Sequence, residues 1–185
     1  DVANAFDRTV AILTDAGVQV IKIPFFELAE IQHINRLGGF AASESYAWHK
    51  DFLANRMGEY DPRVGSRIIK GADQSAADYI KLTQERQRVI EMADKTTSPF
   101  DAVIMPTVAI IPPTIEYVDN DENYFLTNMM TLRNTSVGNF LDRCAVSLPI
   151  HDPETAPVGL MVMGETGGDS KLLQVAKSIE SAHSI

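Results

Sequence analysis

Hydroxyl and thiol side chains are the residues of this sequence that could act as nucleophiles. A hydrolytic serine needs a Gly-x-Ser-x-Gly turn or a serine pair among glycines, because backbone N–H groups must be placed to hold the oxyanion. The sequence has no such turn, and the nearest candidate, Gly65-Ser66-Arg67, has no neighbouring residue suited to act as a base. We interpret Ser66 as an ordinary helix position, and the sequence predicts no catalytic residue.

Cysteine, histidine and glycine patterns predict no metal site and no cofactor. The single cysteine, Cys144, directly precedes the apolar run Ala145–Leu148, where a small buried side chain is usual. The four histidines lie far apart and lack a His-x-x-x-His spacing, so they do not indicate a metal centre. The glycines between Gly164 and Gly168 lack both the dinucleotide-binding spacing and a Walker lysine, and we interpret them as a strand-to-helix turn.

Arg86 is the side chain whose position indicates recognition. A capping-box sequence, Ser75-Ala76-Ala77-Asp78, begins a long predicted helix. An apolar stripe follows this helix at Tyr79, Thr83, Ile90 and Ala93, flanked by Leu82 and Val89. At about 100° per residue, Arg86 lies near the centre of the stripe and Arg88 on the opposite face. Because an unpaired buried charge is costly, Arg86 must meet a carboxylate, backbone carbonyls or a ligand, and both the structural and the ligand-binding interpretations stay open. Arg133, Asp142 and Arg143 are candidates for the same polar cluster.

Helical and strand patterns alternate along the chain and predict an α/β layer fold whose strands are mostly covered on both faces. Helices are predicted over 1–16, 25–48 with a break at Gly38-Gly39, 62–69, 75–93, 122–132, 135–141 and 170–181. Strands are predicted over 18–23, 101–105, 145–148 and 158–163. We expect Tyr46, Trp48 and Phe52 to pack in a core, and Leu172, Leu173, Ala176 and Ile179 to form the inner face of the last helix.

The length and the net charge of the chain limit the functions that it can have. The chain has 185 residues, which suits one domain, so we expect residues 1–185 to form a single piece. Its formal net charge of -9 repels phosphate backbones and anionic lipid headgroups, so nucleic acid and membranes are not expected as partners. The apolar runs fall far short of the roughly 20 residues of a membrane-spanning helix. We expect a cytoplasmic protein. Because Asp1 is not a methionine and helical spacing starts at Val2, we also expect a fragment of a longer chain.

Several blocks of the sequence, in order and over nearly its whole length, resemble the C-terminal portion of the amidase signature hydrolases. These blocks are 13–24, the Ser-Glu-Ser-Tyr-Ala-Trp-His run around Glu44, 61–71, 76–79 with Arg86, 100–107, 135–139, 145–149, 156–161 and the Leu172-Leu173 helix. The resemblance implies part of a mixed β-sheet covered by helices on both faces. It also implies an amide hydrolase whose serine nucleophile, second serine and lysine lie in a segment that this sequence does not contain. The sequence from Phe140 to Val146 is most similar to that of allophanate hydrolases.

The resemblance also assigns roles to individual residues. Arg86 lies near the position where some members carry an arginine for the substrate carboxylate. Thr135, Asn139 and Asp142 would be structural or support the pocket, and Asp142 stands where many members have glycine. The implied partners are a small amide substrate and the missing N-terminal half of the same protein, with a homo-oligomer as a further expectation. The alternative is a non-catalytic truncation or binding module, whereas a role within an amidotransferase that works with tRNA is disfavoured by the acidity.

Overall fold

The computed structural model of the chain describes residues 1–183, which divide into two compact units. The sheet unit consists of Asp1–Pro24 and the chain from Asp94 onward, and the helical unit is Phe25–Ala93. The prediction that residues 1–185 form a single domain stays a prediction. Within the described residues the α-helices are α1 Val2–Asp15, α2 Glu27–Ile34, α3 Gly39–Arg56, α4 Pro62–Ile69, α5 Ala76–Thr97, α6 Asp121–Leu132, α7 Thr135–Phe140 and α8 Asp169–His183. The strands are β1 Val103–Pro106, β2 Ala145–Pro149 and β3 Gly159–Met163.

The sheet unit is built on three antiparallel strands in the order β1-β3-β2. Leu160 and Val162 of β3 are fully buried on one face, where they share a core with α1 and α8 through residues such as Leu13 and Leu172. On the other face Met163 is buried beneath α7, since a Cβ at Gly138 would stand only 3.8 Å from its sulfur atom. Helices therefore lie on both faces of the sheet, and the predicted α/β class is confirmed.

The strand predicted over residues 18–23 is wrong. These residues have no regular secondary structure, and Val18 and Ile21 are 39% and 52% exposed. The helix before them is as predicted, since α1 ends ahead of Gly17, whose φ of 88° is the left-handed conformation that glycine adopts readily. A β-branched apolar run forms a strand only when another strand pairs with it, and no strand in residues 1–183 does so.

The helical unit follows the predicted helices closely. Gly38, with φ of 102°, separates α3 from the short 3-10 turn after α2. The predicted capping box at the start of α5 is confirmed. The Ser75 N–H donates to Asp78 Oδ2 at 3.0 Å, and the Asp78 N–H donates to Ser75 Oγ at 3.1 Å. Gly71 allows the segment after α4 to approach α3, because a Cβ there would stand 2.1 Å from the carbonyl oxygen of Ala42.

Two predictions about buried faces are wrong. Trp48 and Phe52 lie on the surface of α3, with Trp48 80% exposed, whereas Ala42 and Leu53 are the buried side chains of that helix. Leu173 of α8 is likewise 61% exposed, although Leu172, Ala176 and Ile179 are buried as predicted. Apolar spacing defines a broad stripe, but the neighbouring elements decide which of its edges is covered.

Candidate functional site

Arg86 lies on the inward side of α5 within the helical unit. Leu82, Val89 and Ala93, which share its side of the helix, are buried, and Arg86 itself is half-buried. Its guanidinium carbon stands 5.7 Å from the centroid of the Phe40 ring, which is within the range of a cation–π contact. Phe40 is the second residue of α3. The predicted stripe is only partly buried, since Tyr79 and Thr83 are exposed, but Arg86 does lie beside the buried face of α5. Its role in substrate binding stays a prediction.

An aromatic wall continues from Phe40 to a carboxylate. The ring of Phe40 meets the ring of Tyr79 edge-on, with 5.6 Å between centroids and an angle of 79° between planes. The Tyr79 hydroxyl donates a hydrogen bond to Glu44 Oε1 at 3.0 Å. This hydrogen bond to a carboxylate, together with desolvation and the nearby Glu44 charge, raises the pKa of Tyr79 above its ordinary value. We call Arg86, Phe40, Tyr79 and Glu44 the Arg86 cluster.

The Arg86 cluster has the chemistry of a recognition site. A guanidinium can bind a carboxylate through two parallel N–H···O bonds, and an adjacent ring face stabilises the cation. A carboxylate with a hydrogen-bonded phenol beside it supplies polar groups for the remainder of a ligand. None of the four side chains is a serine or a cysteine, so this cluster offers no nucleophile of the kind used in acyl transfer.

Arg88 lies in a different environment from Arg86. Its guanidinium pairs with Glu30 of α2 and, at 2.9 Å, with Glu85 one turn earlier on α5. The hydrogen bonds that Arg88 donates to these two carboxylates, first to Glu30 and then to Glu85, raise the pKa of Arg88. Arg88 is therefore held between two acids at the surface, and it offers a matched comparison for Arg86 on the same helix.

Arg143 is a buried charged residue, which the sequence analysis named only as a candidate member of a polar cluster. Its side chain is only 3% exposed, and Nη2 donates to Asp94 Oδ1 at 2.5 Å and to Thr97 Oγ1 at 2.9 Å. Its Nε has no hydrogen-bond partner among the described residues. Arg133 instead donates from Nε to Asn134 at 3.1 Å. The sequence signal was present, since an arginine directly before an apolar strand must pair once it is buried.

Thr135, Asn139 and Asp142 lie in and after α7 in the sheet unit. Thr135 Oγ1 donates to the carbonyl of Leu132 at 3.2 Å, and the Asp142 N–H donates to the carbonyl of Asn139 at 3.4 Å. Asp142 has φ of 57°, in the left-handed region that glycine adopts without strain and that aspartate tolerates better than most residues. Thr166 Oγ1 donates to the Asp142 carbonyl at 2.6 Å. These contacts shape the turn into β2, and a role in supporting a pocket stays a prediction.

The other candidate nucleophiles and ligands have ordinary partners. Cys144 is half-buried against the core, and its thiol donates to the carbonyl of Glu165 at 3.1 Å. Ser66 Oγ donates to the carbonyl of Arg63 within α4. Among residues 1–183, no group of three or more His, Cys, Asp or Glu side chains is arranged to hold a metal ion. Within the same residues, none of the helices has the length and apolar character needed to cross a membrane.

Comparison with known proteins finds relatives named as a deaminase and as amide hydrolases. A family model described as Amidase matches residues 1–173. The 2-amino-5-chloromuconic acid deaminase of Comamonas testosteroni is 31% identical over 181 residues, an alignment that covers 97% of this chain and 39% of the deaminase. The fatty acid amide hydrolase of Oryza sativa subsp. indica is 24% identical over 187 residues and is covered to 30% of its length.

Solved structures show the same relationship at the level of the fold. The allophanate hydrolase of Kluyveromyces lactis superposes with a TM-score of 0.86 at 24% identity, covering 98% of this chain and 29% of that protein. A glutamyl-tRNA(Gln) amidotransferase component of Thermotoga maritima superposes with a TM-score of 0.68 at 20% identity, covering 97% and 38%. The chain thus spans well under half the length of these similar proteins.

Proposed function

This chain belongs to the Amidase family, and we propose that it forms part of an enzyme that hydrolyses a linear amide at its C–N bond. The match of the family model to residues 1–173 carries this proposal. Supporting it, the relatives are named as a deaminase and as fatty acid amide hydrolases. Since the chain spans 39% of the first of these relatives, the activity belongs in our proposal to a larger protein that contains it.

The nucleophile of this enzyme lies, in our proposal, outside the present sequence. No serine here stands on a glycine-rich turn, and Ser66 and Cys144 both donate to backbone carbonyls. The resemblance to amidase signature hydrolases assigns the attack to a serine activated through a second serine and a lysine. The serine oxygen would bond to the amide carbonyl carbon, the amine would leave with a proton, and water would then hydrolyse the acyl-serine ester.

The present chain would complete the sheet and the substrate pocket. Within residues 1–183, β1 and β2 pair only with β3, so each has an outer edge without a partner strand. On β1 the carbonyl of Pro106 accepts a hydrogen bond from the side chain of Asn134 at 2.7 Å. Because Gly159 of β3 has no side chain, the hydroxyl groups of Thr107 and Ser147 can form a hydrogen bond of 2.6 Å. A Cβ at position 159 would collide with both side chains. The outer edges of β1 and β2 favour a sheet that extends beyond the three strands described.

Arg86 would bind a carboxylate group of the substrate. The half-buried guanidinium is stabilised by the Phe40 ring, and its charge is screened less by water than that of an exposed arginine. The expectation of an acidic amide substrate follows from this residue. A role of Thr135, Asn139 and Asp142 in supporting the pocket belongs to the same proposal.

The experiment compares the purified chain with the longest polypeptide encoded in frame with it. Release of ammonia or amine from simple aryl and alkyl amides should be measurable for the longer protein and absent for the chain alone. Turnover by the homogeneous chain, lost in Ser66→Ala or Cys144→Ala, would refute the assignment of the nucleophile to another segment. Absence of turnover in both proteins over a broad amide set would favour the alternative of a non-catalytic binding module.

Partners and location stay predictions. The net charge of -9 disfavours tRNA as a partner, although a glutamyl-tRNA(Gln) amidotransferase component is among the proteins of similar fold. A cytoplasmic location and a homo-oligomer are part of the proposal. Sedimentation of the longer protein with and without tRNA would test both the oligomer and the exclusion of nucleic acid.

A further inference from the structure

A second recess in the helical unit lies apart from the Arg86 cluster. It has a volume of about 230 Å³ and lies between α2, the 3-10 turn that follows it, the first residue of α3 and the first three turns of α5. On α5 it is lined by positions 78, 81, 82 and 85, which share one helical face, whereas Tyr79 and Arg86 project about 100° away. We call it the Lys81 pocket.

The Lys81 pocket combines cations with an apolar floor. Arg36, Lys81 and His33 supply its basic groups, and Ile34, Leu37 and Leu82 supply its apolar surface. Lys81 has no ion-pair partner within residues 1–183, and Arg36 uses one of its nitrogens, Nη1, to donate to the carbonyl of His33 at 3.1 Å. Both cations therefore keep donors for a ligand.

The two carboxylates of the pocket are held by other groups. Asp78 Oδ2 accepts from the backbone N–H of Ser75 at 3.0 Å and from its hydroxyl at 2.6 Å, as part of the capping box. Glu85 Oε2 accepts two hydrogen bonds from Arg88, at 3.0 and 2.9 Å. Asp78 therefore stays charged close to both cations, since its bonds to Ser75 first, and then the charges of Arg36 and Lys81, lower its pKa. Glu85 is paired with Arg88, so among these side chains one positive charge of Arg36 and Lys81 is left without a matching carboxylate.

A glutamine fixes the wall of the pocket. The side-chain amide of Gln74 donates to the carbonyls of Leu37 and Gly39, at 2.6 and 3.2 Å, and its Oε1 accepts from Ser43 at 2.6 Å. These three bonds hold the turn that carries Arg36 against the segment that precedes α5. The recess therefore exists without a ligand, and binding would not have to order this wall.

We propose that the Lys81 pocket binds a small organic anion, consisting of a carboxylate or phosphate head on a short apolar body. Arg36 and Lys81 hold the head through charge-assisted hydrogen bonds, and Ile34, Leu37 and Leu82 contact the body. Asp78 and Glu85 would repel a second negative group, so the pocket selects a ligand with one anionic end. This site is independent of the amide hydrolysis proposed above.

The test measures binding of butyrate and of inorganic phosphate to the whole chain by NMR titration. We expect saturable shifts of resonances from the pocket, with Arg36→Gln and Lys81→Gln each weakening binding by roughly tenfold. Both side chains are exposed, so these variants should keep the circular dichroism spectrum of the unmodified chain. Lys50→Gln, an exposed α3 residue outside the pocket lining, is the matched control and should bind as the unmodified chain does.

The two probes identify the head group. Tighter binding of butyrate than of phosphate indicates a carboxylate ligand whose body contacts the apolar floor, and the reverse order indicates a phosphate head; both results support the proposal. Shifts that rise linearly without saturation for both probes overturn it. Equal affinity of the Arg36→Gln, Lys81→Gln double variant and the Lys50→Gln control overturns it as well.

Discussion

Replacing Arg86 by lysine separates substrate recognition from structural support. The substitution keeps the positive charge but removes the planar fork that can bind both oxygens of a carboxylate. Loss of such a charge-assisted pair costs about 1 to 3 kcal/mol. At about 1.4 kcal/mol per factor of ten, kcat/KM for an acidic amide should fall by about 5- to 140-fold in the active enzyme that contains this chain.

The share of the effect that the Phe40 contact carries is smaller. The guanidinium lies 5.7 Å from the Phe40 ring centroid, and a cation–π contact at a partly exposed site contributes about 0.5 to 1 kcal/mol. Lysine retains part of this contact, because its ammonium group can also lie over a ring face. Even complete loss of this contact would change an equilibrium or a rate by only about two- to fivefold. This change should affect acidic and neutral amides alike, so an additional loss on acidic amides stays distinct.

The assay measures kcat/KM for an acidic amide and a neutral amide of the same size, alongside thermal denaturation. Arg88→Lys is the control, since Arg88 lies on the same helix, is paired with Glu30 and Glu85 at the surface, and is not part of the Arg86 cluster. It should leave the ratio between the two substrates unchanged. Equal losses on both substrates for Arg86→Lys, together with a lower melting temperature, would contradict the recognition role and leave Arg86 as a structural residue.

Three further predictions concern the helical unit. Gly71→Ala should destabilise the chain by about 1 to 3 kcal/mol in denaturant unfolding, because the new Cβ meets the backbone of α3, whereas Gly58→Ala, with nothing within 4 Å, should change it little. Ser75→Ala should cost about 1 kcal/mol in the same experiment through loss of the cap of α5. Glu44→Gln should lower the pKa of Tyr79 towards its ordinary value in a spectrophotometric titration. Since this pKa is raised in the folded chain, the Tyr79–Glu44 contact stabilises the fold below the ordinary tyrosine pKa and is lost as pH rises through the raised value, so an unchanged titration would contradict it.

Local signals predicted most helices because helix ends are encoded within a few residues. Ser75 and Asp78 satisfy each other's backbone donors three positions apart, and Gly17 ends α1 through its own φ. The strands over 103–106, 145–149 and 159–163 were likewise found from short apolar runs. The run Val18–Ile23 has the same composition but no partner strand among residues 1–183, and pairing is a property that composition does not contain.

The candidate site was only half predictable for a related reason. Helical periodicity placed Arg86 on the correct side of α5, but Phe40 and Glu44 lie 46 and 42 residues earlier in the sequence, so no local spacing links them to it. Arg143 shows the same limit, since its partners Asp94 and Thr97 are 49 and 46 residues away. The only sequence signal for the left-handed φ of Asp142 was the resemblance to amidase signature hydrolases, many of which have glycine at this position.

Apolar surface on this chain supports its placement in a larger amidase fold. None of the residues of α6 is buried, although Phe125, Met129 and Leu132 lie along one side of it at helical spacing. Exposure of an apolar helix face to water costs roughly 25 cal/mol of free energy per Å² of apolar area. Such faces therefore usually pack against another element. Val18 and Ile21 are also exposed, and β1 and β2 each have an outer edge without a partner strand among residues 1–183. These four elements of the sheet unit thus offer surfaces that further parts of a larger amidase could cover, in agreement with our proposal and with the 39% of the deaminase that the chain covers.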